Sequence, residues 1–155
     1  MTATKVLELA RAAGVRIATA ESCTGGMVAV ALTDIAGSSD VFERGFVTYS
    51  NAAKTEMLGV LPATLDAHGA VSEEVAREMA EGALLHSRAQ LAVSITGIAG
   101  PGGSEHKPEG RVCFGLALTG QPTRVETQEF GALGRDRVRT ASRDHALALL
   151  AQTLG

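Results

Sequence analysis

The sequence predicts an α/β fold, a three-layer α/β/α sandwich built on a mixed, mostly parallel sheet. Three observations predict it. Short apolar runs of strand length interleave with stretches of helical spacing, so helices are expected on both faces of one sheet. Two of those runs end in small, polar, glycine-rich turns, the usual ligand-facing ends of strands in open α/β sheets. A late pair of strand-like segments is joined around Gly120-Gln121-Pro122, which introduces antiparallel pairing into the sheet. With 155 residues the chain is expected to form one domain over residues 1–155, with a single core. Hydrophobic residues make up 45% and aromatic residues only 3%, so Ala, Val, Leu and Ile must fill that core.

The elements follow in order. Val6, Leu7, Ala10 and Ala13 recur at helical spacing from about Thr4 to Ala13, and Gly14 stops the helix. Val15 to Ala20 reads as a buried strand with Ser22 at its end. Gly25-Gly26 lead into an apolar helix from Met27 to Ile35, closed by Gly37. Phe42 to Ser50 alternates as a strand, and Asn51 to Leu58 is a short helix with Asn51 as its expected N-cap. Ser72 caps a helix reaching about His86, with Glu73 and Glu74 at its positive end. Leu91 to Ile95 is a second buried strand running into Thr96-Gly97. The segment from 97 to 110 is a glycine- and proline-rich loop. Val112 to Leu118 and Arg124 to Phe130 form the strand pair, and Asp136 to Leu154 is the last helix.

Charge and cysteine usage narrow the function classes. The formal net charge is −3, with 14 Lys and Arg against 17 Asp and Glu, which argues against a nucleic-acid binder with a broad basic face. Cys23 and Cys113 lie far apart with no CxxC pair, as free thiols of a reducing compartment do. The first residues carry charges inside their apolar stretch and do not read as a signal peptide. No run approaches a membrane span. A cytoplasmic location, without membrane or nucleic-acid partners, is the expectation.

Candidate chemistry gathers at the two glycine-rich strand ends. Ser22-Cys23-Thr24-Gly25-Gly26 and Thr96-Gly97-Ile98-Ala99-Gly100-Pro101-Gly102-Gly103 both suit an anion or a developing oxyanion, because glycine lets backbone N–H groups approach closely. Neither matches a nucleotide fingerprint: no Gly-Lys-Ser/Thr follows, and the glycines miss the dinucleotide spacing. Ser22 is the first candidate nucleophile, and it needs a base. His68, His86, His106 and His145 lack a triad signature, although His106 lies in the glycine-rich loop. Lys54 is the other candidate base. It stands one helical turn after Ser50, so its side chain can point back toward the strand end that carries Tyr49. To work near neutrality its pKa must fall by about 3 units, which desolvation or a second cation can supply. Cys23 is an alternative nucleophile, set against the plainer reading of a small buried residue.

Several segments together resemble one family. They are Thr19-Ala20-Glu21-Ser22-Cys23-Thr24-Gly25-Gly26, Gly37-Ser38-Ser39, the run from Gly45 to Lys54, Leu58-Gly59-Val60, His68-Gly69-Ala70-Val71-Ser72, and Thr96-Gly97-Ile98-Ala99-Gly100-Pro101. In this order they are similar to the CinA C-terminal domain family, whose activity is nicotinamide-nucleotide amidase, and the likeness covers essentially the whole chain. It implies the α/β/α fold and hydrolysis of the carboxamide of nicotinamide mononucleotide to nicotinate mononucleotide and ammonia. It implies no metal or organic cofactor. The resemblance makes Ser22 the nucleophile and Lys54 its base. It places Tyr49 beside this dyad to relay or position a proton, and puts Thr96 and the Gly97 backbone against the reacting amide. Thr24, Gly25 and Asn51 are expected around the same pocket.

Two departures from the family pattern stand out. The loop from Gly102 to Gly110 keeps Lys107-Pro108-x-Gly110 but carries Glu109 where an apolar residue is usual. Before the last helix the usual Gly-Asp-Arg-x-x-Val-Arg reads Leu133-Gly134-Arg135-Asp136-Arg137-Val138-Arg139. Arg135 and Arg139 keep the spacing, and Arg135 is the first choice for the substrate phosphate, with Arg137 a surface residue. The long form of the family has an additional N-terminal domain, so this chain is expected to be the stand-alone form, as a homodimer. Two other readings stay open: a pyridine-nucleotide-binding or partner module without turnover, and an amidase for another small carboxamide.

Overall fold

The computed structural model describes residues 2–155. Twelve residues form α1 (Thr2–Ala13), followed by β1 (Ile17–Glu21), α2 (Met27–Thr33) and a 3-10 turn at Ser38–Asp40. Next come β2 (Phe42–Val47), α3 (Asn51–Leu58), α4 (Pro62–His68) and α5 (Glu73–Leu85). The chain finishes with β3 (Leu91–Gly97), β4 (Arg111–Leu118), β5 (Arg124–Glu129) and α6 (Arg135–Leu154). The sheet order is β2-β1-β3-β4-β5. Strands β2, β1 and β3 run parallel, and β4 runs antiparallel between β3 and β5, so the sheet is mixed as the sequence indicates.

Helices cover both faces. On one side α1, α2 and α6 pack on Ile17, Leu91, Val93, Ile95 and Phe114. On the other, α3 and α5 bury Leu58, Val75, Met79 and Ala83 against Ala18, Ala20 and Ala92. Strand β1 is therefore buried along its whole length, on both faces, with Thr19 and Glu21 buried among its apolar residues. Each fully buried Leu, Ile or Val contributes about 1.5–3 kcal/mol of transfer free energy. Small residues set the close approaches: a Cβ at Gly82 would overlap the Leu58 carbonyl, so α5 meets the end of α3 only because that position is glycine.

Three local expectations need correction. Ser50, not Asn51, caps α3: its Oγ accepts the Ala53 N–H at 3.0 Å, and its backbone is extended as an N-cap requires. Strand β2 stops at Val47 rather than Ser50, since residues 48–50 turn away to start α3. Helix α4 was not expected, because its seven residues bury no side chain. It begins with Pro62 in the first turn, where no N–H is needed, and Glu78 of α5 ties it down. The Glu78 carboxylate accepts the Leu61 N–H at 2.8 Å and the Thr64 hydroxyl at 2.6 Å.

The topology fixes the site. The carboxyl ends of the parallel neighbours β1 and β3 lie side by side, with the Ser22 N–H still bonded to the Ile95 carbonyl at 2.9 Å. Past the end of β1 the pleat sends Glu21 toward α2 and Ser22 toward α3.

Candidate active site

Lys54 is the largest fully buried side chain in the protein, with 1% of its surface exposed. A lysine in such a place needs partners, and three oxygens surround its Nζ. It lies 3.0 Å from Ser22 Oγ, 3.1 Å from the Thr48 carbonyl and 3.2 Å from the Tyr49 carbonyl. The turn of chain that caps α3 supplies both carbonyls, and the first turn of α3 carries the lysine back over them. Burial pulls the Lys54 pKa below its ordinary 10.5, because the charged form is poorly solvated there; Cys23 and Glu105 oppose this weakly. The candidate nucleophile and base, which the family resemblance paired, thus lie within hydrogen-bond reach, 32 positions apart in the chain.

Beside them, Glu21 does work that sequence reasoning missed. Its carboxylate is 1% exposed and accepts four hydrogen bonds. Oε1 takes the Thr24 hydroxyl (2.6 Å) and the N–H groups of Gly26 (3.2 Å) and Val28 (3.0 Å); Oε2 takes the Ala29 N–H (3.0 Å). Gly26, the N-cap of α2, has no side chain to offer, so the acid five residues upstream fills that role and anchors the nucleophile turn. The available signal was an apolar helix with no capping residue of its own, preceded by a carboxylate.

Ser22 and Lys54 open into a cavity of about 320 Å³. Thr96, Gly97, Tyr49, Asn51 and Arg135 line the same space, together with the 98–105 loop. Thr96 Oγ1 donates to the Ala70 carbonyl at 2.8 Å, which ties β3 to the segment before α5. The Tyr49 ring is 59% exposed, and its hydroxyl accepts from Arg135 Nη2 at 2.6 Å. It is the Tyr49 carbonyl, not the phenol, that meets Lys54, while the phenol lies at the cavity rim bonded to Arg135.

Other expected residues lie outside the cavity. Thr24 is fully buried and hydrogen-bonded to Glu21. Gly25 adopts a left-handed φ of 58° on the far side of the turn. Arg139 reaches the outside of the same turn, where Nε donates to the Cys23 carbonyl (3.0 Å) and Nη2 to that of Thr24 (3.4 Å). The reason is axial: Arg139 stands four residues past Arg135 on the same side of α6, one turn further from the cavity mouth. None of these three lines the cavity that Ser22 and Lys54 share.

The alternatives raised by the sequence resolve on burial and placement. Cys23 also borders the cavity, but burial pushes its thiol up to about 12, so it stays protonated and unreactive near neutrality. None of the four histidines lines the cavity. His86 bonds the Gly82 carbonyl, and His145 pairs with Glu126 at 2.7 Å. His106 sits at the tip of a tight hairpin, Ser104–Lys107, with φ of 62°. Among the described residues no group of three or more His, Cys, Asp or Glu side chains is arranged to hold a metal. No helix among them is long and apolar enough to cross a membrane.

The family model described as CinA C-terminal domain matches residues 1–154. The chain belongs to the CinA C-terminal domain family. Nicotinamide-nucleotide amidohydrolase PncC of Escherichia coli (strain K12) is 56% identical over 143 residues, covering 92% of this chain and 86% of PncC. A CinA-like protein of Chlorobium phaeobacteroides (strain BS1) is 57% identical over 139 residues. That match covers 88% of this chain but 33% of the longer relative, so the domain here spans a third of that protein. Among solved structures, competence/damage inducible protein CihA from Agrobacterium tumefaciens superposes with a TM-score of 0.89 at 47% identity, over 97% of this chain and 95% of that one. A competence or damage-inducible protein from Enterobacter asburiae gives 0.95 at 34% identity, over 99% and 96%. The α/β/α fold read from the sequence is therefore the fold of this CinA family.

Proposed function

We propose that the protein hydrolyses the carboxamide of nicotinamide mononucleotide to nicotinate mononucleotide and ammonia through an acyl intermediate on Ser22. The observation that carries the chemistry is the setting of Lys54. A neutral amine has two hydrogens and one lone pair. The Thr48 and Tyr49 carbonyls accept the two hydrogens, which leaves the lone pair directed at the Ser22 hydroxyl. Burial favours the neutral form needed for this. The 56% identity to an enzyme named nicotinamide-nucleotide amidohydrolase supports the choice of substrate.

In this mechanism Ser22 Oγ attacks the carboxamide carbon as Lys54 takes its proton. The amide oxygen becomes an oxyanion. The Ser22 N–H is bonded to Ile95 and the Ile98 N–H to Arg111, so this mechanism draws its donors from Cys23 and from the loop that follows Ile98. The C–N bond then breaks, and protonated Lys54 returns its proton to the leaving nitrogen, releasing ammonia. Water, deprotonated by Lys54, attacks the acyl carbon and restores Ser22, leaving the carboxylate. At the cavity mouth the Arg135 guanidinium pairs with the substrate phosphate, for which its forked donors suit it. Thr96 and Gly97 flank the amide, and Asn51 borders the nucleotide. The reaction as written uses no metal or organic cofactor.

The same reading sets the enzyme in the cytoplasm as a homodimer, with no nucleic-acid or membrane partner. The test is ammonia release from nicotinamide mononucleotide by the wild type and by Ser22→Ala and Lys54→Ala. Release that depends on both residues is expected. Undiminished release from Ser22→Ala removes the covalent mechanism. Binding of the nucleotide without release makes the protein a binding module, and faster turnover of an unphosphorylated amide makes it an amidase of another small carboxamide.

A further inference from the structure

We propose that Glu109 is a positioning residue that sets Arg135 over the cavity for the substrate phosphate, an inference that rests on the phosphate role given to Arg135 above. Glu109 stands near the end of the loop between β3 and β4, where the family pattern has an apolar residue. Its carboxylate is bonded at both oxygens. Oε1 accepts the Gly102 N–H at 2.7 Å, and Oε2 accepts the Gly134 N–H at 2.9 Å. Gly134 is the N-cap of α6 and carries no side chain of its own for the purpose. Glu109 therefore caps a 20-residue helix from 25 positions upstream, with its negative charge at the positive end of that helix.

The residue that follows Gly134 is Arg135. Its Nη1 donates to the Gly100 carbonyl at 2.7 Å and its Nη2 to the Tyr49 hydroxyl at 2.6 Å. Loop and helix are thus joined twice in opposite senses, by a loop carboxylate to the helix start and by the first helix side chain to the loop. The Glu109 carboxyl also fills the space beside Gly100, where a Cβ would lie 2.6 Å from the Glu109 Cδ. Both partners of Arg135 are neutral oxygens, so its charge and remaining N–H donors are available to an anion. An apolar side chain at 109 could accept neither N–H. Without that carboxylate, one of the two ties between loop and helix is lost, and Arg135 keeps its bonds to Gly100 and Tyr49.

The test compares nicotinamide mononucleotide with nicotinamide riboside, which has the same amide and ribose but no phosphate. For Glu109→Gln, which keeps the shape and loses one acceptor, KM for the nucleotide is expected to rise about tenfold, a misplacement effect. Its kcat should stay within about twofold, and its kcat/KM for the riboside should not change. Glu109→Asp, which keeps the charge but shortens the reach, serves as a second variant and should give a smaller rise. Adding Glu109→Gln to Arg135→Ala should produce no further loss. Calorimetric Kd values for the nucleotide, measured in a Ser22→Ala background, should follow the same order without relying on turnover. Equal losses on both substrates, an additive double variant, or an unchanged nucleotide KM in Glu109→Gln beside a raised one in Arg135→Ala would each overturn the proposal. An unchanged KM in Arg135→Ala itself sinks the phosphate reading and this inference with it, and is told apart by that variant alone.

Discussion

Replacing Lys54 with methionine keeps a long buried side chain and removes the amine that lies 3.0 Å from Ser22 Oγ. Loss of a positioned general base costs about 10²–10⁴ in rate, so kcat/KM should fall about 10³-fold, or about 4 kcal/mol of barrier. A pH signature accompanies the loss. Burial holds the folded-state pKa of Lys54 below 10.5, and only the neutral amine can accept the serine proton. Wild-type activity should rise with pH through that lowered pKa, and the limb should vanish in Lys54→Met. Stability carries the matching sign. Between the folded and unfolded pKa values the unfolded chain binds a proton that the folded chain has released, so stability rises with pH across that window up to about 10.5. Below it both states are protonated and the burial penalty is complete. Relative to Lys54→Met, the wild type should therefore gain stability as pH increases. Ammonia release read across pH, with thermal melts of both proteins at each pH, measures both effects. A Lys54→Met enzyme within tenfold of wild type, or one with the same acid limb, refutes the assignment of Lys54 as base.

Four further outcomes are expected. Ser22→Ala should lose at least about 10³-fold in kcat, whereas Cys23→Ala should stay active. In the native protein Cys23, 5% exposed with its thiol pushed up to about 12, should resist iodoacetamide at pH 8 by mass spectrometry; rapid labelling would contradict its buried state. Glu21→Ala leaves the start of α2 and Thr24 without their acceptor, which should cost about 3–5 kcal/mol and lower the melting temperature by about 10 °C. An unchanged melt would mean that the four bonds to Glu21 do not anchor the turn. Gly82→Ala forces a methyl group into the Leu58 carbonyl and should destabilise by about 1–3 kcal/mol in denaturant titration, with the active site unaffected at low temperature.

Much of the molecule was legible because its signals are local. The buried strands β1 and β3 announced themselves as short apolar runs ending in glycine-rich turns, and helical spacing marked α1, α5 and α6. Ser22 and Lys54 were singled out individually by position, but no spacing rule pairs residues on a strand end and a separate helix. The family resemblance supplied that pairing. What escaped depends on direction rather than composition. Thr24 and Arg139 fall close to Ser22 in space yet point away from the cavity, Thr24 because its hydroxyl turns onto Glu21 and Arg139 because it stands a helical turn beyond Arg135. Glu21 looked like a neighbour of the nucleophile, and its capping role appears only when the helix that lacks a cap is seen docking on it. Helix α4 buries none of its residues and so left no apolar stripe to read.

Both carbonyls that steady Lys54 belong to the peptide chain, not to side chains. A substitution at Thr48 or Tyr49 therefore cannot delete them, and a survey that truncates side chains one by one will pass over two of the three oxygens around the amine. The same placement separates two freedoms in the course of descent. The aromatic ring at position 49 can change to suit whatever lies at the cavity mouth, while the main chain beneath it goes on presenting the same two oxygens to the amine. A search for variants with altered substrates can accordingly begin at that rim position without disturbing the hydrolytic pair.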